Sequence, residues 1–190
     1  TAAVWKQLSP RASVSYMPWK NWSFNASAGF YHQLPPITAL SFRDMTGNLL
    51  NSELEYMRVA SAAVGVDWRL RQRLFVGLEM FYKHFMDIPV SLATGVPVTC
   101  TGADYGSIGE ELLVSSAQGR AYGAELLVKW LIPEKISLVG AATLYRSEYS
   151  SSKDSDYIPS SWDNRFIINL SGVYDFPKYW SVGAKISAIG

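Results

Sequence analysis

Hydrophobic and polar residues alternate along most of this chain, and helical spacing of apolar residues is rare. A period of two is typical of β-strands that have one apolar and one polar face. The clearest case is 74–87, where Leu74, Val76 and Leu78 share one face and Gly77 and Glu79 share the other. Only 136–149 alternates poorly. The pattern predicts strands at 8–17, 22–32, 54–70, 74–87, 119–131, 136–149, 164–175 and 179–189.

The connections between these strands alternate strictly between short and long. Four short turns, at 18–21, 71–73, 133–135 and 176–178, are separated by long connections at 33–53, 88–118 and 150–163. Structureless loops of this length are uncommon in compact soluble domains. Short periplasmic turns that alternate with long extracellular loops are the rule in outer-membrane barrels. The pattern therefore predicts an all-β fold, an antiparallel transmembrane β-barrel segment of about eight strands.

The composition agrees with a membrane barrel and excludes several other classes. The 190 residues are 48% hydrophobic but only 17% charged, and the net charge of +1 gives no basic excess for nucleic acid. No apolar run approaches the ~18 to 20 residues of a spanning helix, which rules out a helical membrane protein. The single cysteine, Cys100, excludes an intrachain disulfide.

Many aromatic residues lie in or beside the four short turns. Trp and Tyr favour the bilayer interface, where the ring and its polar group are both accommodated. A second aromatic group lies toward the long connections, and Tyr122 and Trp130 would differ in height by roughly 20 Å, close to the ~25 Å apolar band of such barrels. We expect the membrane-interface aromatics of the turn side to be Trp19, Trp22, Trp68, Phe75, Trp130, Phe176, Tyr179 and Trp180.

A soluble β-sandwich, such as a carbohydrate-binding module, remains an alternative because its strands also alternate. Its polar face would meet bulk water and be rich in Lys, Glu and Thr, whereas here Ser, Gly, Ala and Asn dominate. Such a face suits a barrel interior, where we expect ion pairs among the charged residues. These are Glu79, Lys83, Asp87, Glu125, Lys129, Arg165 and Lys185.

No motif of an enzyme is present. The chain has no Gly-rich phosphate loop, no serine-nucleophile elbow and no HExxH sequence. We therefore predict no enzymatic activity and no catalytic, cofactor-binding or metal-binding residues.

The direction of the terminal strands predicts a partial domain. The first predicted strand runs toward a short turn and the eighth runs away from one, so both ends lie on the long-loop side. The ends of a complete barrel of this kind are expected on the periplasmic side. We expect residues 1–190 to form a single partial domain of a larger barrel.

Several segments carry ordered strand motifs. Residues 8–16 have the sequence LSPRASVSY, 24–35 FNASAGFYHQLP, 81–89 FYKHFMDIP, 119–126 GRAYGAEL and 162–172 WDNRFIINLSG. In this order and spacing the chain resembles the β-barrel of TonB-dependent outer-membrane receptors. A plug domain, a TonB box and a terminal Phe strand are not found.

The resemblance implies a fragment from the C-terminal half of a 22-stranded barrel in the bacterial outer membrane. It implies TonB-energised uptake of a scarce solute such as a ferric siderophore, cobalamin or an oligosaccharide. The implied partners are outer-membrane lipid, the rest of the barrel, the plug domain and the TonB energy-coupling complex, reached through the missing N-terminal part. Substrate would contact loops 33–53 and 88–118, for example at Arg43 or Tyr105, although the binding residues stay unassigned.

Overall fold

The computed structural model describes residues 8–71, 73–101, 109–133 and 135–190. Within these ranges the chain is almost entirely β, with one four-residue helix, α1 (Ile37–Leu40). No helix in the described part of the chain is long and apolar enough to cross a membrane. The strands are β1 (Arg11–Trp19), β2 (Trp22–Gln33), β3 (Met57–Leu70), β4 (Leu74–Ser91), β5 (Leu113–Ile132), β6 (Ile136–Ser150), β7 (Ile158–Pro159), β8 (Phe166–Phe176) and β9 (Trp180–Ile189).

All described strands belong to one antiparallel sheet. Its order is β1-β2-β3-β4-β5-β6-β8-β9, with the short β7 paired to β6. Each long strand therefore pairs with the next long strand along the chain, and the sheet is not closed, since β1 and β9 form its two edges. The predicted all-β antiparallel class is confirmed. A sandwich requires a second sheet packed on the first, and the described strands form only one.

The predicted strands all exist, but two of them are longer than expected. β4 continues to Ser91 and β5 begins at Leu113, so the connection predicted at 88–118 is only 92–112. The sequence Asp87-Ile88-Pro89 suggests that the strand ends there, but a β-bulge accommodates these residues and the strand continues beyond them. The register shifts between Phe85 and Ile88, where Asp87 has a φ of 57°, and pairing then resumes. Helix α1 and strand β7 have no counterpart among the predictions, because both are too short to give a periodic signal.

The strand registers divide the sheet into an apolar face and a polar face. Val66, Leu78, Leu126, Ala142 and Ile168 lie side by side across five strands. One position away on each strand, the opposite face carries groups such as Asn25, Asp67, Glu79, Glu125 and Asn169. Residues directly opposite in an antiparallel ladder share a face, so the alternation seen along each strand becomes a continuous property of the sheet.

Among the described residues, the buried apolar side chains lie at the end of the sheet where the long connections begin. Because a single sheet has no second layer, the apolar face itself is uncovered in this chain, and Leu78 is 38% exposed. Two small clusters of buried residues are formed by Met57, Ile88, Val90 and Ala117, and by Ala39, Val98 and Leu113. The folded segment is therefore held together mainly by strand pairing and by these clusters.

We predict that Leu78→Arg destabilises the intact barrel by ~2–4 kcal/mol, because Leu78 lies in the middle of the apolar face and a guanidinium there would enter hydrocarbon. The measurement is the free energy of unfolding of the full-length protein in lipid vesicles. Thr143→Arg is the matched control, since Thr143 lies on the polar face opposite Glu125. Equal effects of the two substitutions would contradict the assignment of the faces.

Candidate functional site at the loop edge

Three long connections leave the same edge of the sheet, which we call the loop edge. They are loop A (34–56), loop B (92–112) and loop C (151–165); loop B is described at 92–101 and 109–112. The opposite end, where the short turns lie, is called the turn edge. Antiparallel pairing of consecutive strands places every second connection at the same edge, so the strand order alone brings these loops together.

Loop A contains a tight turn organised by Asp44. The Asp44 carboxylate accepts hydrogen bonds from the backbone and hydroxyl of Thr46, at 2.8 and 2.7 Å, and from the backbone of Asn48 at 2.9 Å. These bonds, that of the Thr46 hydroxyl first, lower the pKa of Asp44 to about 2. The turn closes at Gly47, whose φ of 88° favours glycine. The carboxylate is therefore ionised throughout the physiological pH range.

Arg43 and Tyr105 were named from the sequence as examples of substrate contacts, and only Arg43 lies within the described residues. Arg43 lies beside the Asp44 turn, and its Nη1 donates to the Gly47 carbonyl at 2.6 Å, so one of its donors stabilises the loop itself. Tyr105 lies outside the described residues. Arg43 is not brought into contact with a recognisable site within the described residues.

Asn51 connects loop A to loop B. Its side chain is only 1% exposed. Its Nδ2 donates to the carbonyls of Ala39 and Glu111, at 3.0 and 2.8 Å, and its Oδ1 accepts from the Leu113 amide at 2.9 Å. Sequence reasoning missed this residue, because nothing in a local pattern shows that a loop asparagine will be buried between two distant segments.

Loop B is also tied to loop C. The indole nitrogen of Trp162 donates to the Thr99 carbonyl at 3.0 Å, and the Ser161 hydroxyl donates to the Cys100 carbonyl at 2.6 Å. With the Asn51 contacts, these bonds join all three loops into one connected surface.

A cavity of about 220 Å³ lies beneath the contact between loops B and C. Its walls include Phe85, Cys100, Tyr149 and Trp162. Burial raises the pKa of the Cys100 thiol, so the cysteine stays protonated at neutral pH. Pockets for complete drug-sized ligands usually have ~300–1,000 Å³. This cavity is therefore large enough for a ring or side group of a ligand.

The charged residues of the polar face do not form the ladder expected from sequence. Glu79 lies directly opposite Glu125 in the register, and in the described part of the chain neither carboxylate has a basic nitrogen within 4.0 Å. Lys83 and Lys129 instead approach the Phe81 and Phe75 rings, each at 5.7 Å from the ring centroid. The alternation placed these groups on the correct face but could not specify their partners.

Two of the charges expected on that face are placed differently. Asp87 forms its ion pair with Arg58, whose position in β3 lies on the apolar face. This pairing is possible because the bulge in β4 reverses the alternation of side chains at Asp87. Arg165 precedes β8 and has a φ of 57°, so it is not a strand residue. The expectation for Asp87 was therefore wrong, and the strand predicted to begin at 164 begins after Arg165, at Phe166.

The aromatic residues near the short turns gather along the turn edge. Trp22 lies opposite both Trp19 and Trp68, and the Trp22 and Trp68 rings are 6.1 Å apart. Trp130 lies opposite Leu74, which places it on the apolar face. Phe176, Tyr179 and Trp180 occupy the last turn, with Phe176 opposite Trp180.

Phe75 differs from these residues. It lies on the polar face between Arg69 and Lys129, and the guanidinium carbon of Arg69 is 5.3 Å from its ring. At the other end of the apolar face, Tyr82 and Tyr122 lie directly opposite each other with ring centroids 6.5 Å apart. Aromatic pairs therefore border the apolar face at both ends.

The ionisable side chains of the described residues are not grouped as metal ligands would be. Among the described residues, no group of three or more His, Cys, Asp or Glu side chains is placed to hold a metal ion. What the arrangement offers chemically is a connected loop surface with a small cavity beneath it, at one edge of a two-faced sheet.

These features agree with the comparison to known families. The sequence model of the family described as "TonB dependent receptor-like, beta-barrel" matches residues 2–189. The chain belongs to this family of bacterial outer-membrane receptors, which confirms both the resemblance and the predicted location. No curated protein matches the chain.

Solved structures show the same fold. The ferric-catecholate import receptor Fiu of Escherichia coli K12 is 18% identical with a TM-score of 0.69, over 95% of this chain and 24% of that one. The alcaligin outer-membrane receptor FauA of Bordetella pertussis is 17% identical with a TM-score of 0.61, over 95% of this chain and 29% of that one. The ferric yersiniabactin uptake receptor FyuA of Yersinia pestis is 16% identical with a TM-score of 0.61, over 93% of this chain and 24% of that one. The chain thus spans about a quarter of the length of these proteins.

We predict that Asn51→Ala uncouples loop A from loop B. Removing the amide leaves the Ala39 and Glu111 carbonyls and the Leu113 amide without this partner, at a local cost of ~1–3 kcal/mol for each buried group that stays unsatisfied. Hydrogen exchange of the full-length protein should become faster at 37–40 and 109–113, while exchange in β3 and β4 stays unchanged.

Asn48→Ala is the control, because within the described residues the side-chain amide of Asn48 bonds to Asp44 and Thr46 of the same turn. It should affect 43–49 alone. Unchanged exchange at 109–113 in Asn51→Ala would show that the amide does not couple the loops.

Proposed function

We propose that this chain forms part of the barrel wall and of the extracellular surface of a TonB-dependent receptor that imports a scarce solute. The observation that carries the proposal is the difference between the two edges of the sheet. Three interconnected loops leave one edge, whereas short turns with clustered tryptophans occupy the other. Transport across an outer membrane requires this difference between a ligand-capturing side and a periplasmic side.

The apolar face is assigned to lipid in this proposal. Val66, Leu78 and Leu126 would contact acyl chains, which need no hydrogen bonds from side chains. At the turn edge, the interface aromatics would be Trp19, Trp22, Trp68, Trp130, Phe176, Tyr179 and Trp180. Phe75 is left out, because its ring lies on the opposite face between two basic side chains.

The proposed solute is a ferric siderophore, which is favoured over cobalamin and an oligosaccharide. Fiu is named a ferric-catecholate import receptor and FyuA a ferric yersiniabactin uptake receptor, and these names support the choice. The aromatic side chains of Trp162 and Tyr149 in the cavity wall suit the flat, electron-rich ligands of ferric iron. Transport rather than catalysis is the proposed activity.

The polar face is proposed to surround a plug domain. Glu79 and Glu125 lie directly opposite each other, and like charges in this position destabilise a sheet. A basic group of the plug would offset this repulsion by pairing with both carboxylates. Movement of the plug would then depend on the TonB complex, which is the second proposed partner.

The transport proposal is tested with the full-length receptor that contains this segment. It is expressed in bacteria without their own siderophore receptors, with and without TonB, and accumulation of radioactive iron is measured for a panel of ferric siderophores. We expect uptake of at least one of them only when TonB is present. TonB-independent uptake would contradict energised import, and uptake of cobalamin or oligosaccharide alone would contradict the substrate class.

The plug proposal predicts the effect of Glu79→Gln combined with Glu125→Gln. In the barrel expressed without its plug, removing both carboxylates relieves their repulsion, so the unfolding free energy should stay equal or rise. Loss of the proposed ion pairs should loosen the plug and raise the entry of large antibiotics that the outer membrane normally excludes, measured as a lower inhibitory concentration. The control is Asp175→Asn, since Asp175 already has a partner in Ser181; an equal change in the control would refute the role of the glutamates.

A further inference from the structure

Basic side chains are concentrated at the turn edge, around one aromatic ring. The register places Phe75 of β4 opposite both Arg69 of β3 and Lys129 of β5. Arg71 and Arg73 belong to the short turn between β3 and β4, and they line the same depression in the surface. We call Arg69, Arg71, Arg73 and Lys129 the turn-edge cluster.

The turn-edge cluster opens on the polar face of the sheet. Phe75 lies four positions before Glu79 on β4, and Lys129 lies four positions after Glu125 on β5, so all of them share one face. Val139 of β6 lies opposite Lys129 and extends the floor of the depression on this face. In the proposed function the polar face surrounds the lumen. The cluster then lies at the periplasmic mouth of the barrel.

Most of the positive charge of the cluster has no carboxylate partner. Asp67 lies 3.7 Å from a terminal nitrogen of Arg69, and the same carboxylate oxygen accepts a hydrogen bond from Asn25 at 3.2 Å. For the other three members, the described part of the chain offers no carboxylate within 4.0 Å. The Arg69 side chain is 54% exposed, so its donors are accessible. The cluster therefore has an excess of positive charge that can attract an anion.

Phe75 adds a flat apolar surface between these charges. The guanidinium carbon of Arg69 is 5.3 Å from the ring centroid, and the Nζ of Lys129 is 5.7 Å from it. Contacts of this kind hold cationic groups beside an aromatic ring. The depression around them has a volume of about 370 Å³, within the ~300–1,000 Å³ of pockets for complete small ligands. A ligand that matches it combines negative charge with flat aromatic groups.

We propose that the turn-edge cluster binds an anionic ferric chelate as the chelate leaves the barrel for the periplasm. The inference rests on the proposed function and adds to it a second ligand site, at the opposite edge from the loops. Guanidinium groups donate paired N–H groups to the oxygens of the chelate. The ring of Phe75 stacks against one of its aromatic groups.

The charges along the polar face give this site a direction. The pair formed by Glu79 and Glu125 lies farther from the turn edge, about 13 Å along the strand from Phe75 at ~3.3 Å per residue. Carboxylates repel an anion, whereas a concave basic surface raises its local concentration. An anionic chelate that has passed the carboxylates is therefore retained at the periplasmic mouth and does not return toward the loops.

The test measures binding of two iron complexes to the full-length receptor in detergent, by equilibrium dialysis with radioactive iron. The iron(III) complex of a hexadentate tris-catecholate has a charge of 3−, whereas that of a hexadentate trihydroxamate is neutral. We expect binding of the trianion to weaken as salt is added, because salt screens the cluster. Arg71→Gln and Arg73→Gln should each weaken it about tenfold, because one charge-assisted hydrogen bond is lost.

Lys178→Gln is the matched control. Lys178 is a basic residue of another short turn at the same edge, and its φ of 72° is similar to the 54° of Arg71. It lies outside the depression, so this variant should bind the trianion normally. Phe75→Leu keeps every charge but removes the ring, and it should weaken binding several-fold. Heat-modifiable migration in gels verifies that each variant is a folded barrel.

Three binding results would overturn the inference: an equal loss in Lys178→Gln, an equal effect of Arg71→Gln on the neutral complex, or displacement of the trianion by an equal concentration of inorganic phosphate. The last result would identify a site for small anions in general. Unchanged binding in Arg71→Gln together with raised entry of large antibiotics would also overturn it. The cluster would then hold an acidic segment of the plug.

Uptake of radioactive iron by the same variants separates this inference from the transport proposal. Dialysis measures binding without TonB and without transport. TonB-independent uptake with intact binding at the cluster would contradict the transport proposal alone. TonB-dependent uptake without binding at the cluster would contradict this inference alone.

Discussion

The structure depends first on the backbone hydrogen bonds between neighbouring strands. In hydrocarbon an unpaired N–H or C=O group costs several kcal/mol, because no water is present to replace its partner. From β1 to β9 each long strand satisfies these groups on the next strand, with a register that is interrupted only at bulges such as the one around Asp87. Among the described strands, β1 and β9 are each paired along one side only. The chain covers about a quarter of the length of the receptors that it matches.

Once the strands are paired, the side chains are divided between two environments. The apolar face needs only hydrophobicity and tolerates many residues, whereas the polar face carries charges that have no ion-pair partner among the described residues. Glu79 and Glu125 show this freedom, because their opposition is costly in an isolated sheet. The stability of the sheet itself therefore gives no reason for this pair of carboxylates.

The loops depend on a different set of interactions. The strands bring loops A, B and C to one edge, but buried polar contacts fix their arrangement. Asn51 and Trp162 each donate to backbone carbonyls of another loop, and the small apolar cluster of Ala39, Val98 and Leu113 packs between loops A and B. A connected loop surface of this kind can transmit a change at one loop to the others.

The sequence by itself determined the strands, their alternation between two faces, the division into short turns and long loops, and the family. These features repeat every second residue or lie close together in sequence, so local patterns contain them. The tertiary structure alone decided that β4 and β5 extend past a bulge, that Asp87 pairs with Arg58, that Phe75 lies on the polar face beside basic groups, and that Asn51 joins two loops. Each of these depends on the register between strands or on contacts between residues far apart in the chain, and alternation along one strand contains no information about either.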